Sequence, residues 1–230
     1  MNLEIFENED YVSDLSVRMA HHNTAIEGNT LTQNETASIL LNGIIPRKIN
    51  EREFFEVKNY QKILPFLIRS LRENRACDGE FLKAAHAILL ENLIYNAGKF
   101  KTTQNMIVGA DFETTPPYQV SFVLKDQAQN LAFCLNLAKN DDEKLKAILQ
   151  HHIRFKRVHP FSDGNGRVGR FAMFYLVLQN GLTPFTISKD SKNEYIHALR
   201  NESVEELFVL AKQMQEFELA RMNKFVNCKI

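Results

Sequence analysis

His159-Pro160-Phe161-Ser162-Asp163-Gly164-Asn165-Gly166-Arg167-Val168-Gly169-Arg170 is the passage on which the reading of this 230-residue chain turns. It places an imidazole, a carboxylate, glycines, an amide and two guanidiniums between one helical pattern and the next. Gly164 and Gly166 permit backbone angles that side chains forbid, so backbone N–H groups can turn toward one point. A helix opens there, and its free N–H groups and positive dipole end favour an anion at the same place. Arg167 and Arg170, three apart, occupy neighbouring positions of one helix face, and their forks suit phosphate oxygens. Asp163 is a candidate ligand for Mg2+, which commonly takes one or two carboxylates plus substrate phosphates. His159 can take a proton near neutral pH. The passage reads as a triphosphate seat with a base beside it.

Gly164 to Gly169 also fits G-x-G-x-x-G, the dinucleotide fingerprint, but that fingerprint needs a preceding strand inside a βαβ unit. Leu145 to Val158 instead has the pattern of a charged helix, and no strand–helix alternation follows. The phosphate-binding pattern ending in Gly-Lys-Ser/Thr is absent from the sequence.

Outward from this passage, helical periods dominate. Val12, Leu15, Met19 and Ile26 follow one stripe, which predicts a helix over residues 10–28 with Asp10 as N-cap and Gly28 as its stop. Thr32-Gln33-Asn34-Glu35 predicts a capping box opening a helix that ends near Asn42-Gly43. Another helix is expected from Asn50, interrupted at Pro65, and another from Asp78 to Asn92. Lys99 to Tyr118 is the best place for a small hairpin, with Thr114-Thr115-Pro116-Pro117 as a turn. Helices resume over 121–138, 141–157 and 165–180. Ser191-Lys192-Asn193-Glu194 and Ser203-Val204-Glu205-Glu206 are two further capping-box patterns, the last helix reaching about Asn223. With no repeat or linker, a single, mainly α domain over residues 1–230 is expected.

Lys+Arg and Asp+Glu both number 28, so the formal net charge is zero. Nothing in that balance favours nucleic acid or an anionic membrane. The acidic start lacks a signal peptide's basic and apolar regions, and no apolar run approaches the roughly 20 residues of a membrane span. Cys77, Cys134 and Cys228 are odd in number and lack metal-ligand spacing, which reads as reduced thiols in a cytoplasmic protein. The pairs His21-His22 and His151-His152 do not share a helix face, and His86 and His197 read as ordinary helix residues.

The passage from His159 to Arg170 matches H-P-F-x-[D/E]-G-N-G-R-x-x-R at every fixed position, and the chain thereby resembles the Fic-domain family. The resemblance runs through Thr24 to Thr32 and from Glu80 to about Arg200. It implies a Fic-type helical domain with a β-hairpin flap, the core lying at 80–200 and the flap at about 99–118. Met106, Ile107, Val108 and Gly109 resemble the part of the flap that aligns a target segment by backbone pairing. Asn23-Thr24-Ala25-Ile26-Glu27-Gly28 resembles the family's inhibitory helix, S/T-x-x-x-E-G/N, with Asn23 standing where Ser or Thr is usual. Glu27 is independently conspicuous. It opposes the dipole in the last turn of its helix and, fifteen residues after Val12, points within roughly 60° of the inward stripe. Arg170 is the cation expected to pair with it.

The resemblance implies transfer of AMP from ATP, with Mg2+, to a Ser, Thr or Tyr hydroxyl of a target protein, under inhibition by Glu27 and Asn23. His159 would be the base and Asp163 the metal ligand. Gly164, Asn165, Gly166, Arg167 and Arg170 would hold phosphates, with Arg170 on the γ-phosphate and Tyr195 near the adenine. Self-modification and a homo-oligomer are compatible with this reading. Two alternatives stay open: removal of AMP from a modified protein, and a non-catalytic nucleotide-binding regulatory partner.

Overall fold

Phe171 to Leu178 is apolar on every side, and a helix of that kind belongs in an interior. The computed structural model describes residues 3–107, 109 and 112–227. Its α-helices in chain order are α1 (Glu9–Ile26), α2 (Gln33–Asn42), α3 (Glu51–Lys58), α4 (Tyr60–Arg72) and α5 (Gly79–Leu89), followed by α6 (Val120–Leu137), α7 (Asp141–Val158), α8 (Asn165–Gln179), α9 (Lys192–Arg200) and α10 (Val204–Asn227). Every residue of α8 from Asn165 to Leu178 is buried. One apolar cluster, from α1 to α5, packs on Phe171, Phe174, Tyr175 and Leu178; a second, from α7, α9 and α10, packs on Met173, Leu176 and Val177. α7 and α8 form a helical hairpin whose close approach depends on Gly169: a Cβ there would lie 2.9 Å from the Phe155 ring.

Local signals explain most helix ends. Thr32 and Glu35 form the reciprocal capping box, and Gly43 closes α2 in the left-handed conformation. Asn50, Asp78 and Asn140 each accept a backbone N–H at the starts of α3, α5 and α7. Some expectations shift. The cap of α1 is Asn8, not Asp10, which lies inside the first turn. Pro65 sits within α4, and the interruption falls at Asn59, whose amide donates to the Leu89 and Glu91 carbonyls at 3.0 and 2.9 Å. Ser191 makes no capping bond, because the chain enters α9 from a 3-10 turn over Lys189–Ser191 rather than from extended backbone. Ser203 does accept the Glu206 N–H, at 3.2 Å. α10 continues past Asn223 to Asn227.

The segment at 99–118 differs most from its expectation. Among its described residues none lies in a strand. Side chains anchor it instead: the buried Lys101 ammonium donates to Asn105 Oδ1 at 2.7 Å and Thr114 Oγ1 at 2.9 Å. Val108 lies outside the described residues. Among the described residues, no helix is long and apolar enough to cross a membrane.

α1 is clamped to α10 by buried charge. Glu218 accepts from Arg18 at 2.6 and 2.9 Å and from the Tyr11 hydroxyl at 2.8 Å. Arg18 and Arg221 also share Asp14. Breaking such a network leaves an uncompensated buried charge, which costs more than the pair contributes when intact. Glu218→Ala is therefore expected to lower the unfolding free energy by about 3–5 kcal/mol. A urea titration followed by circular dichroism measures this; a loss under about 1 kcal/mol would show that α1 does not depend on the clamp.

Candidate active site

His159 terminates α7 in the left-handed conformation, φ 49°, where its N–H still reaches the Phe155 carbonyl at 3.1 Å. A bulky residue seldom adopts that angle, and such positions concentrate at functional sites. The reversal starts a loop that Phe161 pins: its ring is fully buried and stacks on the His86 imidazole at a centroid distance of 3.9 Å. His86 Nδ1 accepts the Gly98 N–H at 2.7 Å, so its Nε2–H donates to the Asp163 carbonyl at 3.1 Å. Burial lowers the His86 pKa to about 4, keeping this tautomer neutral. His86 is thus a support of the loop, not an ordinary helix residue. Its place with Leu82 and Leu89 on one apolar stripe of α5 was the available signal.

Asn165 clasps the same loop. Its amide donates to the Phe161 carbonyl at 2.7 Å and accepts the Phe161 N–H at 2.9 Å. Both ends of the amide are thereby committed to backbone rather than offered to a ligand. Gly164, at φ 75°, turns the chain into α8 where a Cβ would lie 2.5 Å from Leu90. The first-turn N–H groups of α8 have no acceptor within the helix.

Arg170 is buried behind that helix start, and α1 supplies its partners. Its guanidinium donates to Asn23 Oδ1 at 2.6 Å, to the Asn23 carbonyl at 2.9 Å and to Glu27 Oε1 at 2.7 Å. Asn23 and Glu27, four apart, form one ridge of α1. The Glu27 carboxylate lies directly over Gly166, so that a Cβ at Gly166 would collide with Oε1. Burial alone would raise the Glu27 pKa, but Arg170 foremost, then Lys156 and Arg167, hold it down at about 2. The side chain nonetheless remains 36% exposed, so solvent screens the pair.

On the other side of the loop, Asp163 accepts the Gly164 N–H through Oδ1 at 2.6 Å and Arg52 through Oδ2 at 2.7 Å. Burial raises its carboxyl, but the Arg52 bond leads the effects that leave it below its ordinary value. Arg167 is 1% exposed and lies near Glu56 at 3.4 Å and Asp163 at 3.8 Å. Its Nε and Nη1 have no hydrogen-bond partner, and such unmet buried donors favour an added acceptor. Tyr195 is fully buried, its hydroxyl bonded to His152 at 2.8 Å and its ring beneath Arg170. It supports Arg170 from behind and offers no open face to a purine.

The structure therefore brings His159, Asp163, Gly164, Gly166, Arg167, Arg170, Asn23 and Glu27 to one place. The 99–118 segment borders it: Lys101 N–H donates to the Pro160 carbonyl at 2.8 Å, and Asn105 donates to the Phe161 carbonyl at 2.8 Å. Met106 is 88% exposed there, with Ile107 beside it and Gly109 exposed at φ 78°. Burial, followed by the charge of Lys156, lowers the His159 pKa to about 4. The ring is neutral at pH 7 and able to accept a proton.

Residues 76–177 match the Fic/DOC family. The chain is 28% identical over 215 residues to the protein adenylyltransferase fic-1 of Caenorhabditis elegans, a match covering 90% of this chain and 40% of that protein. It is 32% identical over 113 residues to a probable protein adenylyltransferase of Aquifex aeolicus, covering 49% of this chain and 33% of that one. The chain thus spans well under half the length of these relatives. Its fold superposes on a Fic-domain-containing signalling protein of Bacteroides thetaiotaomicron with a TM-score of 0.79, at 16% identity, covering 98% of this chain and 91% of that one.

The buried neutral histidines set a dependence of stability on pH. His86, His151 and His159 have pKa values lowered to about 4, and that of His152 is lowered well below its ordinary value, burial being the leading cause in each. Between about pH 6.5 and pH 4 the unfolded chain binds protons that the folded chain refuses, so unfolding becomes easier as pH falls. Each group contributes up to about 1.4 kcal/mol per pH unit in that window. Urea midpoints at pH 7 and pH 5 test this; the midpoint is expected to be lower at pH 5, and equal values would contradict burial of the neutral rings.

Proposed function

We propose that the chain transfers AMP from ATP to a hydroxyl of a target protein and that Glu27 holds it silent. The observation that carries this reading is the Glu27–Arg170 pair at 2.7 Å, laid across the start of α8 beside a neutral His159. A carboxylate placed there occupies the position that a phosphate of bound ATP would take on Arg170. The relatives named protein adenylyltransferases support the reaction class.

The donor set fits a metal that arrives with its nucleotide. Asp163 presents a carboxylate 40% exposed at the helix start, and the described residues contain no cluster of three or more ligating side chains. Mg2+ is held in that manner, by one or two carboxylates plus phosphates. When bound it would neutralise phosphate charge. The first-turn N–H groups of α8 and the unmet N–H groups of Arg167 would receive phosphate oxygens, and Arg170, once released, would take the γ-phosphate. His159 removes the proton from the target hydroxyl. The oxygen attacks the α-phosphorus in line, the bond to the β-phosphate breaks, and pyrophosphate leaves. Positioning and charge neutralisation supply most of the acceleration in such transfers, and a base contributes typically 10²–10⁴-fold. Met106, Ile107, Val108 and Gly109 would receive the target segment. In the Asn165 and Tyr195 positions the support is for shaping the loop and backing Arg170.

A second reading is removal of AMP from a modified protein. Its support is that Glu27 stays ionised and one-third exposed, so it can position a water.

Glu27→Gly is expected to raise AMP transfer at least about ten-fold, the low end for a charge-assisted pair because the carboxylate is partly solvated. Mass spectrometry reads this as the gain of one AMP group on the protein itself or on lysate proteins. Adding His159→Ala is expected to return the variant to silence, and Asp163→Ala to abolish Mg2+-dependent nucleotide binding or turnover. No gain in Glu27→Gly, with ATP still bound, would reject the inhibitory role; release of AMP by wild type from a modified target would support the second reading.

With His159 titrating at about 4, the rate of the Glu27→Gly variant is expected to hold level from about pH 8 to about pH 5.5 and to fall below that. A midpoint near 6.5 would place the base elsewhere or expose it.

A further inference from the structure

Asp163 meets two different kinds of partner. Oδ1 accepts the N–H of Gly164, a bond within the loop that persists as long as the loop keeps its shape. Oδ2 accepts from Arg52, which comes from α3, 111 residues earlier. The Arg52 side chain is 55% exposed and Asp163 40% exposed, so this second bond is the one that can open. Arg52 also has somewhere to remain, because its Nε donates to Glu56 at 3.0 Å on the same helix face.

We propose that Arg52 is an internal competitor of the divalent cation: it occupies the free oxygen of Asp163 and has to leave before a metal seats there. A cation bound directly to Oδ2 would stand about 2.0–2.1 Å from it. The guanidinium already lies 2.7 Å from the same atom, and two positive groups sharing one oxygen repel. The bond is solvent-exposed, so its loss is cheap and the competition is moderate rather than absolute.

This closure is separate from the one at Glu27 and acts on a different residue of the passage. Glu27 blocks Arg170, whereas Arg52 blocks Asp163. The two are joined through Asn29, whose amide donates to Glu56 and to the Glu53 carbonyl, each at 3.1 Å. The segment following α1 thereby sets α3 in register with the loop. The inference rests on the AMP-transfer reading only for the use of the metal; occupation of Asp163 by Arg52 is a property of the chain itself.

The test uses Mn2+ alone, without nucleotide, on the full chain. Free Mn2+ is read by electron paramagnetic resonance while metal is titrated into wild type, Arg52→Gln, Arg52→Lys and Asp163→Asn. Arg52→Gln is expected to bind Mn2+ about two- to five-fold more tightly, the span that an exposed ion pair corresponds to. Arg52→Lys should lie between it and wild type, and Asp163→Asn should lose the site. Equal Mn2+ affinity in wild type and Arg52→Gln would overturn the proposal, as would Mn2+ binding unaffected by Asp163→Asn. A second titration follows a non-hydrolysable ATP analogue at rising Mg2+ in the Glu27→Gly background. Arg52→Gln should lower the half-saturating Mg2+ and leave affinity at saturating Mg2+ unchanged. Weaker nucleotide binding at every Mg2+ level would instead make Arg52 a phosphate ligand and overturn the competitor role. Failure of Glu27→Gly to transfer AMP would count against the transfer reading alone, since the Mn2+ titration does not depend on it.

Discussion

A guanidinium buried in the middle of a protein needs acceptors brought to it, and Arg170 imposes that requirement on this fold. It sits on the most deeply buried helix, 3% exposed, where an unpaired charge is prohibitive. The acceptors come from α1, as the amide and carbonyl of Asn23 and the carboxylate of Glu27. The N-terminal helix is thus docked for an electrostatic reason as well as an apolar one. The clamp of Asp14, Arg18 and Glu218 against α10 fixes its other half. The docking of α1 and the pairing of Arg170 share one contact.

The parts legible in the sequence are those whose cause is local. The loop from His159 to Gly166 could be read because each residue type there has few structural uses, and the helix following it because eight successive residues lack a polar face. Glu27 was conspicuous because a carboxylate opposed its helix dipole on the inward side. Thr32, Asn50 and Asp78 announced helix starts through their own side chains.

What escaped the sequence was decided by partners far away along the chain. Nothing near Arg52 or Glu56 indicates that they meet Asp163 and Arg167, over a hundred residues later. Asn165 has the chemistry to hold a phosphate, but its amide fits the Phe161 backbone, and only the closed turn reveals which use prevails. Tyr195 is placed by His152, from a histidine pair that looked featureless in sequence. The 99–118 segment had hairpin composition, yet Lys101, Asn105 and Thr114 satisfy one another and the adjoining loop, so side chains perform the anchoring expected of a strand ladder.

The missing side chain at Gly169 reaches further than packing. It lets α7 and α8 close on each other, and His159 stands at the end of one helix and Gly164 at the start of the other. The separation between them is therefore an interhelical distance within the core, not the span of a loop free to adjust. A bulkier residue at Gly169 would alter the spacing of His159 and the start of α8 without touching either.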